Sequence, residues 1–196
     1  MEKNVCRLHV DGEMLGSIPS KHPLVEIGCC NVDESKAPTF SVLIRPPENA
    51  LYEYGARRVL RRTFEEYVRD GVNPQDAAHA FIEFLEFSAG GRKLEISCVN
   101  PGFDIGFIKF FLSTYADDET GAVGYKSYDV ISYACAVFRL PLTEMSTGKA
   151  WNLLREDHSN IYDKHFVGEG THTALKDALA QKALLCALEE VVLLGR

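Results

Sequence analysis

No stretch of the sequence approaches the roughly 18 consecutive apolar residues of a membrane-spanning helix, so no membrane partner is expected. Positive charge is in short supply: 21 Lys and Arg stand against 28 Asp and Glu, for a formal net charge of −7. With a pI near 5.4, that balance argues against a broad electrostatic surface for duplex nucleic acid. No Cys-x-x-Cys pair occurs, which removes a common spacing for zinc or dithiol chemistry. The six cysteines, Cys6, Cys29, Cys30, Cys98, Cys135 and Cys186, fall mostly in apolar contexts and read as reduced, buried thiols of a cytoplasmic protein. Internal repeats are absent, and no signal peptide is expected before the first strand. Thr147-Gly148-Lys149 does not end a phosphate-binding loop, since Thr143 stands where the first glycine is required, and no role is assigned to it.

What is present is a set of short apolar runs with turn residues between them. At 196 residues and 46% hydrophobic, the chain is expected to form one domain, 1–196, with a sizeable core. Three strands are predicted first, over 5–11, 23–32 and 39–45, forming an antiparallel meander. Arg45-Pro46-Pro47 ends the third, because proline removes ladder donors, and an arginine-rich helical stretch follows. Asn73 caps and Pro74 opens a helix whose Ala77, Phe81, Phe84, Leu85 and Ser88 trace one face until Ala89-Gly90-Gly91. A strand over 94–99 comes next, and its long crossover favours parallel pairing beside the first strand. Further helices are predicted over 103–115, 128–138 and 173–194. The expected fold class is α/β: a mixed sheet, an antiparallel meander of three strands plus parallel strands, flanked by helices.

Acidic residues at the ends of these elements are the candidates for chemistry. Leu8 and Val10 alternate with Arg7 and His9, so the first strand leads into Asp11-Gly12-Glu13. Residues two apart on a strand share a face, and two such carboxylates stand roughly 7 Å apart, close enough to converge on one cation. A polar turn after the strand, which Asp-Gly also signals, is the other reading. Asp104 falls in the first turn of the helix after Asn100-Pro101-Gly102, where the helix dipole alone favours an acid. Near the end, a glycine-rich loop, Gly168-Glu169-Gly170-Thr171, runs through His172 into the last helix, from which Asp177 projects. Five residues within one helix would turn His172 and Asp177 about 140° apart, so they cooperate only with His172 on the loop. A capping or solvated histidine is the alternative.

In their order and separation these motifs resemble the DEDDh branch of the 3′-to-5′ exonucleases, the proofreading-exonuclease superfamily with a ribonuclease H-like fold. The likeness covers nearly the whole chain. Its first motif corresponds to Asp11-Gly12-Glu13-Met14-Leu15-Gly16 followed by Leu24-Val25-Glu26-Ile27-Gly28. The second corresponds to Asn100-Pro101-Gly102-Phe103-Asp104-Ile105-Gly106-Phe107. The third, His-x-Ala-x-x-Asp-Ala, is His172-Thr173-Ala174-Leu175-Lys176-Asp177-Ala178, which places the chain in the histidine rather than the tyrosine branch. Met14-Leu15-Gly16 departs from the Thr-Thr-Gly that often follows the first glutamate.

The resemblance implies a metal-dependent 3′-to-5′ exonuclease that releases nucleoside 5′-monophosphates from single-stranded RNA or DNA. It implies two Mg2+ or Mn2+ ions, with Asp11 bridging both, Glu13 and Asp177 each completing one and Asp104 acting through water. A pair of such ions activates water and stabilises the leaving oxygen, and hard oxygen ligands suit them. His172 is the implied general base; an ordinary histidine pKa near 6.5 suits that work at neutral pH, so activity is expected to fall below about pH 6. Met14, Leu15 and Ile18 are expected to contact the terminal nucleotide, with Asn100, Phe103 and Phe107 of the second motif, unless these residues pack into the loop or core. Arg57, Arg58, Arg61 and Arg62 build a basic helix face, read either as a phosphate site or as a solvated face paired with Glu65 and Glu66. The acidic balance favours local gripping of a short oligonucleotide or a free 3′ end. Two alternatives use the same residues or the same fold: a phosphodiesterase for dinucleotides or nucleotide-linked small molecules, and a non-catalytic nucleic-acid-binding module.

Overall fold

A computed structural model describes residues 4–117, 121–168 and 171–195. Glu169 and Gly170 of the glycine-rich loop lie outside the described residues. The central strand is β1 (Val5–Met14), paired antiparallel with β2 (Leu24–Asn31), which pairs antiparallel with β3 (Phe40–Leu43). On the other edge of β1 lies β4 (Lys93–Cys98), parallel to it, and then the short parallel β5 (Ser127–Asp129). The order β3-β2-β1-β4-β5 is the expected mixed sheet.

Helices cover both faces, and the alternation of β1 decides what each receives. Cys6, Leu8 and Val10 point into a core shared with α3 (Pro74–Ala89) and α4 (Pro101–Tyr115), where Phe81, Leu85, Ile108 and Leu112 are buried. α3 is capped as its sequence implies: the Asn73 side chain accepts from the Gln75 N–H, and Gly90 ends the helix in the left-handed region. Arg7, His9 and Asp11 instead bond to α8 (Ala174–Leu194) on the opposite face. There α8 packs with α5 (Val130–Phe138), α6 (Thr147–Asp157) and α7 (Ser159–His165) around Trp151, Leu154 and Leu184. Two short helices follow, α1 (Tyr54–Val59) and α2 (Phe64–Asp70); Arg57 and Arg58 lie in α1 but Arg61 and Arg62 lie between the two, so the four arginines do not form the single helix face expected.

One close approach seats α8 on the sheet. Gly28 lies opposite Asp11 in the β1–β2 ladder, and a Cβ there would stand 2.2 Å from the Ala174 carbonyl carbon and the Leu175 nitrogen. Only glycine lets the first turn of the helix come this near. Beside it Glu26 Oε1 accepts the free N–H of Ala174 over 3.1 Å, so the same strand anchors the helix start.

Some elements differ from expectation. β1 runs three residues past the predicted end, because Gly12 stays in the ladder opposite Ile27 and donates its N–H to Asp104 Oδ1 (3.3 Å) instead of turning. The acids therefore lie within the strand. Residues 127–129 are strand rather than the start of a helix, since Asp129 caps α5 by accepting from the Ile131 and Ser132 N–H groups. The helices α6 and α7 are not foreseen by the sequence reading.

Candidate active site

Asp11 and Glu13 project from β1 on one face, as the period of two requires. Asp104 stands in the first turn of α4, tied to β1 through the Gly12 N–H. Asp177 stands in the first turn of α8 and reaches back: its Oδ1 accepts the Thr171 N–H over 2.6 Å and its Oδ2 the His172 N–H over 3.1 Å. His172 is on the loop, exposed, with a positive φ of 53° that folds the chain back before the helix begins. The fold thus brings all five residues to one end of β1, and ligating atoms of Glu13, His172 and Asp177 lie within 4.8 Å of one another.

All four carboxylates are buried. Burial first, then the charges of Asp104 and Glu13, drives the Asp11 carboxyl well above the ordinary range, against a lowering hydrogen bond from Gln181. Glu13 is pushed up to about 8 by burial and by Asp177, Glu26 and Asp104. Burial raises Asp104 to about 6, held back by backbone N–H groups. Acids buried this close together call for compensating positive charge, and their oxygen donors suit hard divalent cations. The residues present fit such ions.

Behind Asp11 lies a polar chain. Gln181 Nε2 donates to Asp11 Oδ1 over 2.7 Å, its Oε1 meets His9 Nε2 at 2.9 Å, and His9 Nδ1 meets Ser97 Oγ at 2.9 Å. His9 is fully buried, and burial lowers its ring to about 4, so it is neutral. Gln181 sits one helical turn after Asp177 on the same face of α8. That four-residue spacing is the signal that identifies it in the sequence.

A cleft of about 600 Å³ opens in front of the acids. Its far wall is built by α6 and α7: Trp151, Asn152, Arg155 and Tyr162, with Phe166 beyond. Trp151 meets the Tyr162 and Phe166 rings edge-on, at 5.9 and 5.2 Å, while Tyr162 and Phe166 stack at 4.7 Å. None of this wall is foreseen, and Thr147 and Gly148, to which the sequence assigns no role, line the cleft too.

Of the expected nucleotide contacts, Phe103 lines the cleft, packed edge-on against Phe107 at 5.1 Å. Three of the others, Met14, Leu15 and Phe107, are buried in cores instead. Met14 ends β1 inside the main core and Leu15 is wholly buried with Val25 and Tyr67, because the strand continues where a loop is expected. Phe107 is also a core residue. Ile18 is exposed but lies outside the cleft lining. Asn100 is likewise outside it, its carbonyl accepting the N–H groups of Phe103 and Asp104 at the start of α4. Between α1 and α2, Arg62 lies 3.7 Å from Asp70 rather than pairing with Glu65 or Glu66, and Glu66 is engaged in the capping box of α2. Arg61 Nε donates to the Thr171 carbonyl beside His172 over 3.0 Å.

No family model matches the chain. In sequence it is 26% identical over 187 residues to the 3′-5′ DNA exonuclease Cap18 of Escherichia coli, covering 93% of this chain and 90% of that protein. In fold it matches the nuclease domain of 3′hExo, a DEDDh family member bound to rAMP, with a TM-score of 0.70 at 14% identity, over 94% of this chain and 92% of that one. The resemblance to the DEDDh 3′-to-5′ exonucleases holds. In sequence the chain is thus similar to a 3′-to-5′ exonuclease, and in fold to a nuclease domain of the DEDDh family. E. coli exonuclease I in complex with a dT13 oligonucleotide matches the same fold with a TM-score of 0.66 at 18% identity, over 91% of this chain and 40% of the larger protein. A zinc-bound form of the exonuclease I complex with single-stranded DNA matches likewise, at 0.64 and 18% identity, over 91% of this chain and 39% of that one.

Proposed function

We propose that this exonuclease removes nucleoside 5′-monophosphates one at a time from the 3′ end of single-stranded RNA or DNA, using two Mg2+ or Mn2+ ions. Asp11, Glu13, Asp104 and Asp177 would hold the ions and His172 would serve as general base. The observation that carries this reading is the convergence of four buried carboxylates with an exposed, loop-borne histidine at the mouth of one cleft. Bound there, the cations would neutralise the developing phosphoryl charge and make water a competent nucleophile at neutral pH.

The chain's own residues do the rest. His172 takes the proton the attacking water loses, from a loop whose backbone Asp177 holds. Attack on phosphorus breaks its bond to the 3′-oxygen of the preceding nucleotide, which takes a proton from solvent, leaving a 5′-monophosphate and a strand one residue shorter with a free 3′-hydroxyl. Arg155 offers a guanidinium to a phosphate on the far wall, and Trp151, Tyr162, Phe166 and Phe103 offer aromatic surface to a base. The acidic net charge favours a strand gripped only here, and a bound oligonucleotide in E. coli exonuclease I supports a single-stranded substrate.

A second reading follows from the bounded size of the cleft: about 600 Å³ also suits a dinucleotide. Rates on a dinucleotide and on a longer single strand, each as RNA and DNA, separate the two. The exonuclease reading expects turnover of the longer strand at least as fast as of the dinucleotide. His172→Ala should lower turnover at saturating metal by about 100-fold or more. Wild-type turnover in that variant would remove the histidine from the mechanism.

A further inference from the structure

The geometry points to Gln181 as a positioning residue for Asp11, locked by a buried hydrogen-bonded chain through His9 and Ser97. This rests on the reading of Asp11 as a metal ligand. As a metal ligand Asp11 is ionised and only accepts, in keeping with the Gln181 NH2 placed 2.7 Å from its Oδ1. That orientation turns the amide oxygen to His9 Nε2 at 2.9 Å, which must donate. A neutral ring that donates from Nε2 accepts at Nδ1, so the Ser97 hydroxyl, which also reaches the Leu8 carbonyl at 3.2 Å, gives its proton to the nearer ring nitrogen at 2.9 Å. Every proton in the chain therefore has one direction, and the chain ends on Asp11.

Three elements supply it: Ser97 from β4, His9 from β1 and Gln181 from α8. His9 is fully buried and Ser97 buried, so no bulk water competes for these bonds. Rotating the amide would set two donors against each other at His9 and two acceptors at Asp11, each costing a buried hydrogen bond. Gln181 thus holds one lone pair of Oδ1 and fixes the carboxylate plane, leaving the remaining lone pairs turned to the cleft. Partners of this kind, one bond removed from an ion, typically change metal affinity or activity 10- to 100-fold when lost.

The test is calorimetric titration of Mn2+ alone into wild type, Asp11→Asn, Gln181→Met, Ser97→Ala and the Gln181→Met/Ser97→Ala pair, with steady-state kinetics on a single-stranded oligonucleotide alongside. We expect Mn2+ affinity to fall about 10-fold or more in Gln181→Met and less in Ser97→Ala, with no further loss in the pair. At saturating Mn2+, Gln181→Met should lower kcat and leave the oligonucleotide KM within about twofold of wild type. Unchanged Mn2+ affinity in Gln181→Met and Ser97→Ala, where Asp11→Asn has lost it, would overturn the positioning role. So would a raised oligonucleotide KM with metal affinity intact, which marks a direct substrate contact. Should Gln181→Met fail to fold, Ser97→Ala decides: weakened Mn2+ binding supports the chain and unchanged binding refutes it. Failure of wild type itself to bind Mn2+ would remove the metal reading and this inference with it.

Discussion

The backbone N–H of His172 donates to Oδ2 of Asp177 over 3.1 Å, and the neighbouring Thr171 N–H donates to Oδ1 over 2.6 Å. One carboxylate thus belongs to the cluster of Glu13, His172 and Asp177 and also fastens the loop that carries the histidine. Its substitution should disturb both. In Asp177→Asn the amide offers one acceptor and turns an NH2 toward the other loop N–H. Loss of one buried, charge-assisted bond is worth about 1.5–3 kcal/mol, so the Thr171 and His172 amides should exchange hydrogen at least about tenfold faster. Hydrogen exchange followed by NMR reads this directly. Exchange as slow as in wild type would mean the loop is held by something else.

Without metal, the clustered acids make stability fall as pH rises. Glu13 goes from an ordinary 4.5 to about 8 in the folded chain, and Asp104 from 3.8 to about 6. Between those values the unfolded chain has released protons that the folded chain keeps, so the unfolding free energy decreases with pH over this interval. In chelator the melting temperature should decline from about pH 5 to pH 8, and added Mg2+ or Mn2+ should shrink or reverse the decline. A melting temperature that climbs over the same range in chelator would show that the acids are relieved by other means.

Arg155 lies on the cleft wall opposite the acids, exposed, with Nη2 held by Asn152 Oδ1 at 3.1 Å. A guanidinium in that place contributes to binding rather than to bond breaking. Arg155→Ala should raise the oligonucleotide KM about tenfold with kcat within about twofold of wild type, the signature of a lost ground-state contact. Steady-state kinetics over a range of strand lengths measures it; an unchanged KM would place the strand elsewhere.

The parts legible in the sequence are those governed by short periods. Asp11 and Glu13 share a face because a strand repeats every two residues. Parallel pairing of β4 with β1 follows from the length of the crossover, and it brings Asp104 beside Gly12. The Asp11-Gly12 step misleads, because Asp-Gly usually turns a chain, yet Gly12 remains in the ladder and carries Met14 and Leu15 into cores. The cleft wall is illegible for a different reason. In α6 only Ala150, Trp151 and Leu154 are buried, too few to mark a face, and the aromatic cluster forms only when Tyr162 and Phe166 fold back on Trp151. Gln181 is legible only through its place one turn after Asp177; its partner, a histidine 172 residues away in sequence, is not.

The most direct test of the account is digestion of a 5′-labelled single strand, as RNA and as DNA of the same sequence, with Mg2+, with Mn2+ and with chelator, by wild type and by Asp11→Asn. The account predicts a ladder shortening from the 3′ end in the presence of metal, abolished by chelator and by Asp11→Asn. Intact strands of both sugars under both metals, or a ladder that persists in chelator, would contradict it.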